Sequence, residues 1–166
     1  MKVYYTMINS PVGKLYAAKT AKGISFITFS RKEWNGYLRD LKRDDKIELH
    51  KNDVEFFPLK RALKRYFSGE EINFSFPFDI FWGTPFQKKV WSEMGKIPYG
   101  QTRSYKWLAQ RAGDLRKARA VGQACSSNPL SILIPCHRVV REDGKLGGFA
   151  GGLHIKRELL KLESKT

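Results

Sequence analysis

Short runs of alternating apolar and polar residues fill the first third of the chain. Three of these runs cover residues 3–8, 14–20 and 24–29, and Gly13 and Gly23 separate them. Alternation with a period of two, interrupted by turn-forming residues, is typical of β-strands with one buried face. The pattern therefore predicts a small antiparallel sheet.

The spacing of apolar residues becomes helical after this sheet. The polar segment 39–53 predicts helix and loop, and residues 54–69 predict a helix that ends at Gly69. The apolar positions of that helix recur at i, i+3, i+4 and i+7: Leu59, Ala62, Leu63, Tyr66 and Phe67. The aromatic-rich segment 70–83 lacks a helical period, which predicts an extended connector packed against both halves of the chain.

A new domain is predicted to begin after Gly83. Thr84 can cap a helix, Pro85 suits its first turn and Gln87 completes a capping box. We therefore divide the chain into an N-terminal α/β domain, 1–83, and a C-terminal domain, 84–166. The fold class is α/β (α+β), a sheet-and-helix domain followed by a helical domain.

Two short helices in the second domain predict a helix-turn-helix, a motif that commonly binds DNA. They cover residues 104–112 and 116–126 and are joined through Gly113. Within 118–124 of the second helix, Arg119 is the one long basic side chain in a stretch of small residues: Ala118, Ala120, Gly122 and Ala124. Small residues suit either close packing in a core or close approach to a narrow groove.

The net charge and its distribution along the chain favour a polyanionic partner. The 166 residues carry a formal net charge of +15. Residues 84–166 hold 16 Lys/Arg and 6 Asp/Glu, whereas residues 1–83 hold 15 and 10. A basic domain with a helix-turn-helix favours nucleic acid. A solubility surface, or the lysine-rich composition of a thermophile, gives the same charge.

Several classes of protein are disfavoured. The N-terminus lacks the pattern of a signal peptide, and no apolar run approaches the roughly 18 residues of a membrane span. Cys125 and Cys136 form no disulfide framework and, with three scattered histidines, no zinc-like spacing. We expect an intracellular, cytoplasmic protein with reduced thiols and with no metal, cofactor or membrane partner.

Cys136 stands in an unusual context, 130-LSILIPCHRVVR-141. A lone cysteine is usually structural, but Pro135 constrains the backbone before it, and His137, Arg138 and Arg141 favour its thiolate. Adjacent side chains diverge in regular structure, so His137 could activate the thiol only through water or an irregular turn.

The segment after Cys136 begins glycine-rich, 144–152, and becomes an amphipathic helix. The glycines form no Walker loop, since no G-K-[ST] follows them. The helix is predicted to bury an apolar stripe: Ile155, Leu159, Leu160 and Leu162. From the pattern alone, Glu163 at its end is equally suited to surface or site.

Four motifs in this order resemble the O6-alkylguanine-DNA alkyltransferases, also called methylated-DNA–protein-cysteine methyltransferases. They are 98-PYGQTRSY-105, 118-ARAVGQA-124, 135-PCHRV-139 within 128-NPLSILIPCHRVV-140, and 147-GGFAGG-152. The resemblance implies an N-terminal α/β domain and a helical C-terminal domain whose helix-turn-helix, with its winged-helix-like fold, docks in the minor groove.

The resemblance also implies roles for individual residues. The catalytic set is Cys136 as alkyl acceptor, His137 as its base through a water, Glu163 behind His137, Asn128 as a brace, and Tyr105 as donor to the departing guanine. The DNA contacts are Arg119, which fills the stack when the base flips out, with Ala118, Ala120, Gly122, Tyr105 and Arg138. The pocket is lined by Val139, Phe149, Ala150, Ser131 and Gly147. Cys125 has no clear role in the family.

The implied function is irreversible, single-turnover repair of O6-alkylguanine in double-stranded DNA by a monomer without an obligate protein partner, at the nucleoid of a prokaryote. Cooperative binding along DNA is left open. The alternatives are a non-catalytic protein that binds alkyl lesions, a regulator switched by cysteine methylation, and a cysteine hydrolase. Cys136 disfavours the first, the lack of a second DNA-binding module disfavours the second, and the adjacency of Cys136 and His137 disfavours the third.

Overall fold

A computed structural model describes residues 1–164 and divides the chain into two compact units. The first unit is Met1–Phe81, and the second begins at Trp82. Gly83, the predicted boundary, lies two residues beyond the end of the first unit. The N-terminal unit contains a sheet and the C-terminal unit is mainly helical, which confirms the predicted fold class. None of the helices in residues 1–164 has the length and apolar character needed to cross a membrane.

The N-terminal unit contains one four-stranded sheet and two helices. Its elements are β1 (Lys2–Ser10), β2 (Gly13–Thr20), β3 (Gly23–Thr28), α1 (Arg31–Leu41), β4 (Glu48–Lys51) and α2 (Phe57–Phe67). The strand order is β3-β2-β1-β4. β2 is antiparallel to both β1 and β3, as predicted, whereas β4 runs parallel to β1. The prediction of helix and loop for 39–53 is wrong at β4. This edge strand is short and mostly exposed, so it lacks the alternation of a half-buried strand.

Helix α1 packs on the sheet through aromatic side chains. Ser30 caps the helix by accepting a hydrogen bond from the backbone N–H of Glu33. Trp34 is buried, and its ring lies 5.6 Å from Tyr16 and 6.2 Å from Phe26, centroid to centroid. Such pairs contribute about 0.5–1.5 kcal/mol beyond the area they bury, so this cluster fixes the helix on the sheet.

The connector after α2 is extended, as predicted, and pairs with β3. The backbone N–H of Ile24 donates to Pro77 O at 2.9 Å, and that of Asp79 donates to Ile24 O at 2.9 Å. A Cβ at Gly23 would lie 2.3 Å from Pro77 O, so this close approach requires glycine. Packing of the connector against the C-terminal half stays a prediction.

Residues 82–164 of the C-terminal unit contain four α-helices and two short parallel strands. They are α3 (Pro85–Met94), β5 (Arg103–Ser104), α4 (Tyr105–Arg111), α5 (Ala118–Ser126), β6 (Val139–Val140) and α6 (Leu153–Glu163). The capping box of α3 is confirmed, since the side chains and backbone N–H groups of Thr84 and Gln87 pair reciprocally. Helices α3, α4 and α5 pack together around apolar residues that include Val90, Leu108 and Val121.

Helices α4 and α5 form the predicted helix-turn-helix, with a 3₁₀ turn at Leu115–Lys117 between them. The side chains of α5 divide between a buried face and an exposed face. Val121 and Ala124 face the core, where Trp91 Nε1 donates to Ala124 O at 2.8 Å, whereas Ala118 and Arg119 are exposed. The helix therefore has one packed face and one open face.

Candidate active site

The segment before Cys136 is a buried, tightly braced loop. All residues from Leu130 to Ile134 are buried, and the N–H of Ile134 donates to Leu130 O at 2.8 Å. Ile132 has a φ of 73°, the one positive value outside glycine among residues 1–164. For a β-branched residue this conformation is strained, by about 1–3 kcal/mol, and persists where the surroundings enforce it.

Asn128 provides that enforcement. Its Nδ2 donates to Ile134 O at 2.8 Å, and its Oδ1 accepts from the Leu130 N–H at 3.0 Å. The side chain is buried and closes the loop at both ends. Asn128 therefore fixes the backbone that leads into the Cys136 turn.

Cys136 begins a 3₁₀ turn, Cys136–Arg138. Pro135 has φ −81° and ψ 67°, and the N–H of Cys136 donates to Ile134 O at 2.8 Å, so the chain reverses directly before the thiol. The residue is 9% exposed and lines a narrow pocket. Cys136 and His137 thus lie in a 3₁₀ turn, and activation of the thiol by His137 stays a prediction.

His137, Arg138 and Glu163 form a buried cluster beneath this turn. His137 Nε2 lies 2.6 Å from Glu163 Oε2, and Arg138 donates to both oxygens of Glu163, at 2.7 and 3.1 Å. Arg138 also donates to Ile97 O at 2.7 Å. His137 Nδ1 is buried and has no hydrogen-bond partner among residues 1–164. The imidazole is thus held through Nε2, and Nδ1 is available to accept a hydrogen bond.

The protonation states follow from this arrangement. Burial lowers the pKa of His137, and the hydrogen bond and charge of Glu163 oppose the shift without cancelling it. The pKa of Glu163 is lowered although burial raises it, because hydrogen bonds from His137 and Arg138 outweigh desolvation. At neutral pH the cluster holds a neutral imidazole, a carboxylate and a guanidinium. A neutral imidazole with Nε2–H on Glu163 has Nδ1 as its acceptor.

Residues from three regions line the pocket beside Cys136. They are Tyr105, Cys125, Ser126, Asn128, Ser131, Cys136, Gly148, Phe149 and Ala150. Its volume is about 10 Å³, roughly enough for one water molecule. A purine can enter only if the rim moves, and Gly148 and Ala150 form an exposed part of that rim.

Three of the five predicted pocket residues line the pocket beside Cys136, and two do not. Ser131, Phe149 and Ala150 line the pocket, as the resemblance implies. Val139 is fully buried and lies outside the lining of this narrow pocket, so its contact with the base stays a prediction. Gly147 also lies outside the lining and packs on Tyr105, because a Cβ there would come within 2.7 Å of Tyr105 Oη.

One phenol and one thiol that line the pocket are held protonated by burial. Burial raises the pKa of Tyr105 to about 12 and that of Cys125 to about 12. Tyr105 therefore keeps a proton to donate. Cys125, which has no predicted role, is a buried thiol that faces the same pocket as Cys136.

The predicted DNA contacts lie mostly on the open face of α5. Arg119 and Ala118 are exposed, Ala120 and Gly122 are half-buried, and a Cβ at Gly122 would meet no atom within 4 Å. Arg119 makes no hydrogen bond or ion pair with residues 1–164.

The prediction that Arg138 contacts DNA is corrected by the structure. Its guanidinium is buried on Glu163 and Ile97, so it braces the cluster and is not available as a DNA contact. In the sequence, no local pattern distinguishes Arg138 from an arginine that lies on the surface.

Lys156 is a functional candidate that sequence reasoning missed. It is fully buried on α6 and donates to the carbonyls of Val139 and Gly148. Lys156 lies three residues before the buried Leu159 and seven before Glu163, so helical periodicity places all three on one face. That spacing was the available signal.

Comparisons with known proteins agree over both units. Residues 3–80 match the family model described as 6-O-methylguanine DNA methyltransferase, ribonuclease-like domain, and residues 85–165 match the DNA binding domain of the same protein. A methylated-DNA–protein-cysteine methyltransferase of Methanosarcina barkeri is 42% identical over 99% of both chains. The constitutive enzyme of that name from Bacillus subtilis is 38% identical over 96% of this chain and 94% of its own.

Solved structures give the same picture. The crystal structure of Mycobacterium tuberculosis O6-methylguanine methyltransferase matches with a TM-score of 0.85 and 36% identity, over 98% of this chain and 93% of that one. The M. tuberculosis protein in complex with DNA matches with a TM-score of 0.82 and 34% identity, over 99% and 93%.

Proposed function

The chain belongs to the 6-O-methylguanine DNA methyltransferase family of direct-reversal DNA repair enzymes, and on that premise we propose that Cys136 takes the alkyl group from O6-alkylguanine in DNA. The observation that supports this most strongly is the turn itself. It sets Cys136 on a narrow pocket, with a neutral His137 behind it whose Nδ1 has no partner among the described residues. A nucleophile needs a nearby base and fixed geometry, and this turn has both.

The proposed reaction begins with proton transfer from Cys136. His137 Nδ1 accepts the proton through a bridging water, since the adjacent side chains diverge. Glu163 orients the imidazole through Nε2 and stabilises the imidazolium that forms, at a distance of 2.6 Å. Arg138 keeps Glu163 ionised.

The thiolate then attacks the alkyl carbon. A carbon–sulfur bond forms as the carbon–O6 bond breaks, and the electron pair of that bond passes to guanine. Tyr105, held protonated, donates a hydrogen bond to a ring nitrogen of the departing base and so stabilises its developing charge. The product is a thioether, which has no easy hydrolytic exit, so each molecule acts once.

Access to the lesion requires the base to leave the duplex, since O6 of guanine lies on its Watson–Crick edge. Flipping costs a few kcal/mol, less for a damaged pair. The open face of α5 supports docking in a groove about 6 Å wide, with Arg119 filling the vacated stack. The rim at Gly148 and Ala150 moves outward as the base enters.

The same features support the remaining parts of the proposal. All the proposed site residues belong to the C-terminal unit of one chain, which supports action as a monomer without an obligate partner. A double-stranded DNA substrate supports work at the nucleoid, in the cytoplasm. A protein that merely binds the lesion is not favoured, because it would have no use for the braced thiol.

Intact-protein mass tests the proposal. After incubation with a duplex that carries O6-methylguanine, we expect one added methyl group per molecule, located on Cys136 by peptide mapping and saturating at one equivalent. Cys125→Ser is the matched control and should still transfer, whereas Cys136→Ser should not. Tight lesion binding without any mass change would overturn the assignment of Cys136.

A further inference from the structure

Lys156 is the one fully buried lysine among residues 1–164, and the reaction described above does not use it. Lysine is almost never fully buried unless its charge is paired. Here Nζ donates to Val139 O at 2.7 Å and to Gly148 O at 3.1 Å, and it lies 5.7 Å from the centroid of the Tyr105 ring. Two carbonyls and one ring face can take the three protons of an ammonium group.

These three partners come from three parts of the site. Val139 directly follows the Cys136–Arg138 turn and starts β6, Gly148 belongs to the glycine-rich loop, and Tyr105 starts α4. Gly148 and Tyr105 line the pocket together with Cys136. One side chain of α6 therefore ties the strand behind the nucleophile to the opposite walls of the pocket.

The charge of Lys156 acts on the same pocket. Burial lowers the pKa of Lys156 to about 8, and attraction to Cys136 and Cys125 opposes that shift. The attraction is reciprocal, so the ammonium favours the thiolate of Cys136. The other groups that face it are the ring of Tyr105 and His137, whose protonation Lys156 disfavours.

We propose that Lys156 is a positioning residue, a buried ammonium that fixes the glycine-rich loop against the nucleophile's strand and supplies positive charge that favours the Cys136 thiolate. The inference deepens the proposed function and rests on it for its consequence in repair. Its two parts, charge and tether, are separable, because arginine keeps the charge but replaces a compact ammonium with a planar fork.

The experiment uses three full-length variants. Lys156→Met keeps the length of the side chain and removes its charge and donors, Lys156→Arg keeps the charge, and Lys161→Met removes an exposed lysine of the same helix as the control. Each is given iodoacetamide between pH 6 and pH 10, and alkylation of Cys136 is followed by peptide mass. Each is then given excess O6-methylguanine duplex, and the rate at saturation is separated from the concentration for half-maximal rate.

For Lys156→Met we expect the alkylation profile to move upward by about one pH unit, which makes Cys136 about tenfold less reactive at pH 7.5. For Lys156→Arg we expect the profile of the parent with a several-fold slower saturating transfer. Lys161→Met should match the parent in both. An unchanged alkylation profile in a folded Lys156→Met protein would overturn the proposal.

Folding of the variants is checked by thermal melting. If Lys156→Met does not fold, Lys156→Arg decides: a parental profile with slow transfer supports the proposal, and a shifted profile despite the retained charge contradicts it. Because iodoacetamide needs no DNA, this result is independent of the proposed function. Failure of the parent protein to take a methyl group from DNA would count against the function alone.

Discussion

The two units of the molecule bury different kinds of polar residue. Among residues 1–164, the N-terminal unit buries hydroxyl groups alone: Thr6, Thr20, Ser25 and Thr28. The C-terminal unit buries ionisable and amide groups as well: Asn128, Ser131, His137, Arg138, Lys156 and Glu163. All four of the buried residues among 1–164 with ionisable nitrogen or carboxyl groups therefore lie in the unit that contains Cys136, the proposed nucleophile.

This difference means that the costly buried ions lie around the candidate site and not in the sheet. A buried hydroxyl is satisfied cheaply; Thr28, for example, donates to Glu33 at 2.8 Å. Burying an ion costs several kcal/mol, and its partner often does no more than offset that cost. A sheet that serves as scaffold has no reason to bear this cost, whereas a site that must hold a neutral base beside a carboxylate does.

The largest effect is expected from Glu163→Gln. It leaves the guanidinium of Arg138 buried without a carboxylate, and loss of one partner of a buried pair costs about 3–5 kcal/mol. Transfer should slow by about 10²-fold, because His137 loses its orienting anion. Urea unfolding and methyl-transfer rates measure the two effects. Glu158→Gln, on the same helix and half-exposed, is the control; equal destabilisation by both variants would contradict the comparison.

Asn128→Ala should follow, with a loss of about 2–3 kcal/mol, since a buried N–H and a buried carbonyl lose their partner. Asn52 sharpens the contrast. It accepts from the N–H groups of Val54 and Glu55 in the N-terminal unit, but at the surface, so Asn52→Ala should cost about 1 kcal/mol. Unfolding of both variants in urea gives the ratio, and a larger loss at Asn52 would break the pattern.

The buried cluster also predicts loss of stability in acid. Because the pKa of His137 is lowered in the folded protein, the unfolded chain binds a proton first as the pH falls through about 6.5, and stability is lost below that value. The lowered pKa of Glu163 adds a second loss below its ordinary value of 4.5. Each group can contribute at most about 1.4 kcal/mol per pH unit. Urea midpoints from pH 7.5 to 3.5 measure both losses, and His137→Gln should flatten the upper part of the curve.

The smallest effect on stability is expected from Arg119→Ala, within about 0.5 kcal/mol, since the side chain is exposed and makes no hydrogen bond or ion pair with residues 1–164. Repair of duplex DNA should nevertheless weaken more than reaction with free O6-alkylguanine. Parallel methyl-transfer rates on the two substrates test this, with exposed Arg61→Ala of the N-terminal unit as control. Equal loss on both substrates would remove Arg119 from the base stack.

Local patterns predicted what local physics decides. The strands β1 to β3, the capping box at Thr84 and the apolar spacing of α2 each depend on neighbours in sequence, and all are present. The predicted single buried face is not found in β3, where every residue is buried. Helix α1 was missed because it buries only Trp34 and Leu41, and β4 because an exposed edge strand needs no apolar face.

The candidate site depended on more than local pattern. The residues around Cys136 were found through family motifs, whereas the network that joins His137 and Arg138 to Glu163 spans more than 20 residues of sequence. Arg138 was misassigned because its buried partners lie on other elements. Lys156 was passed over because a lysine on an amphipathic helix normally lies in solvent.

Gly147 and Tyr105 have a consequence for anyone who wishes to redesign this pocket. Since a Cβ at position 147 would come within 2.7 Å of the phenol oxygen, the two positions amount to a single choice. The φ of 73° at Gly147 adds a second obstacle to any side chain there. A library that varies position 147 alone will therefore be depleted of active members. Any redesign should pair a change at 147 with a smaller residue at 105, and so lose the phenol that we propose donates to the departing base.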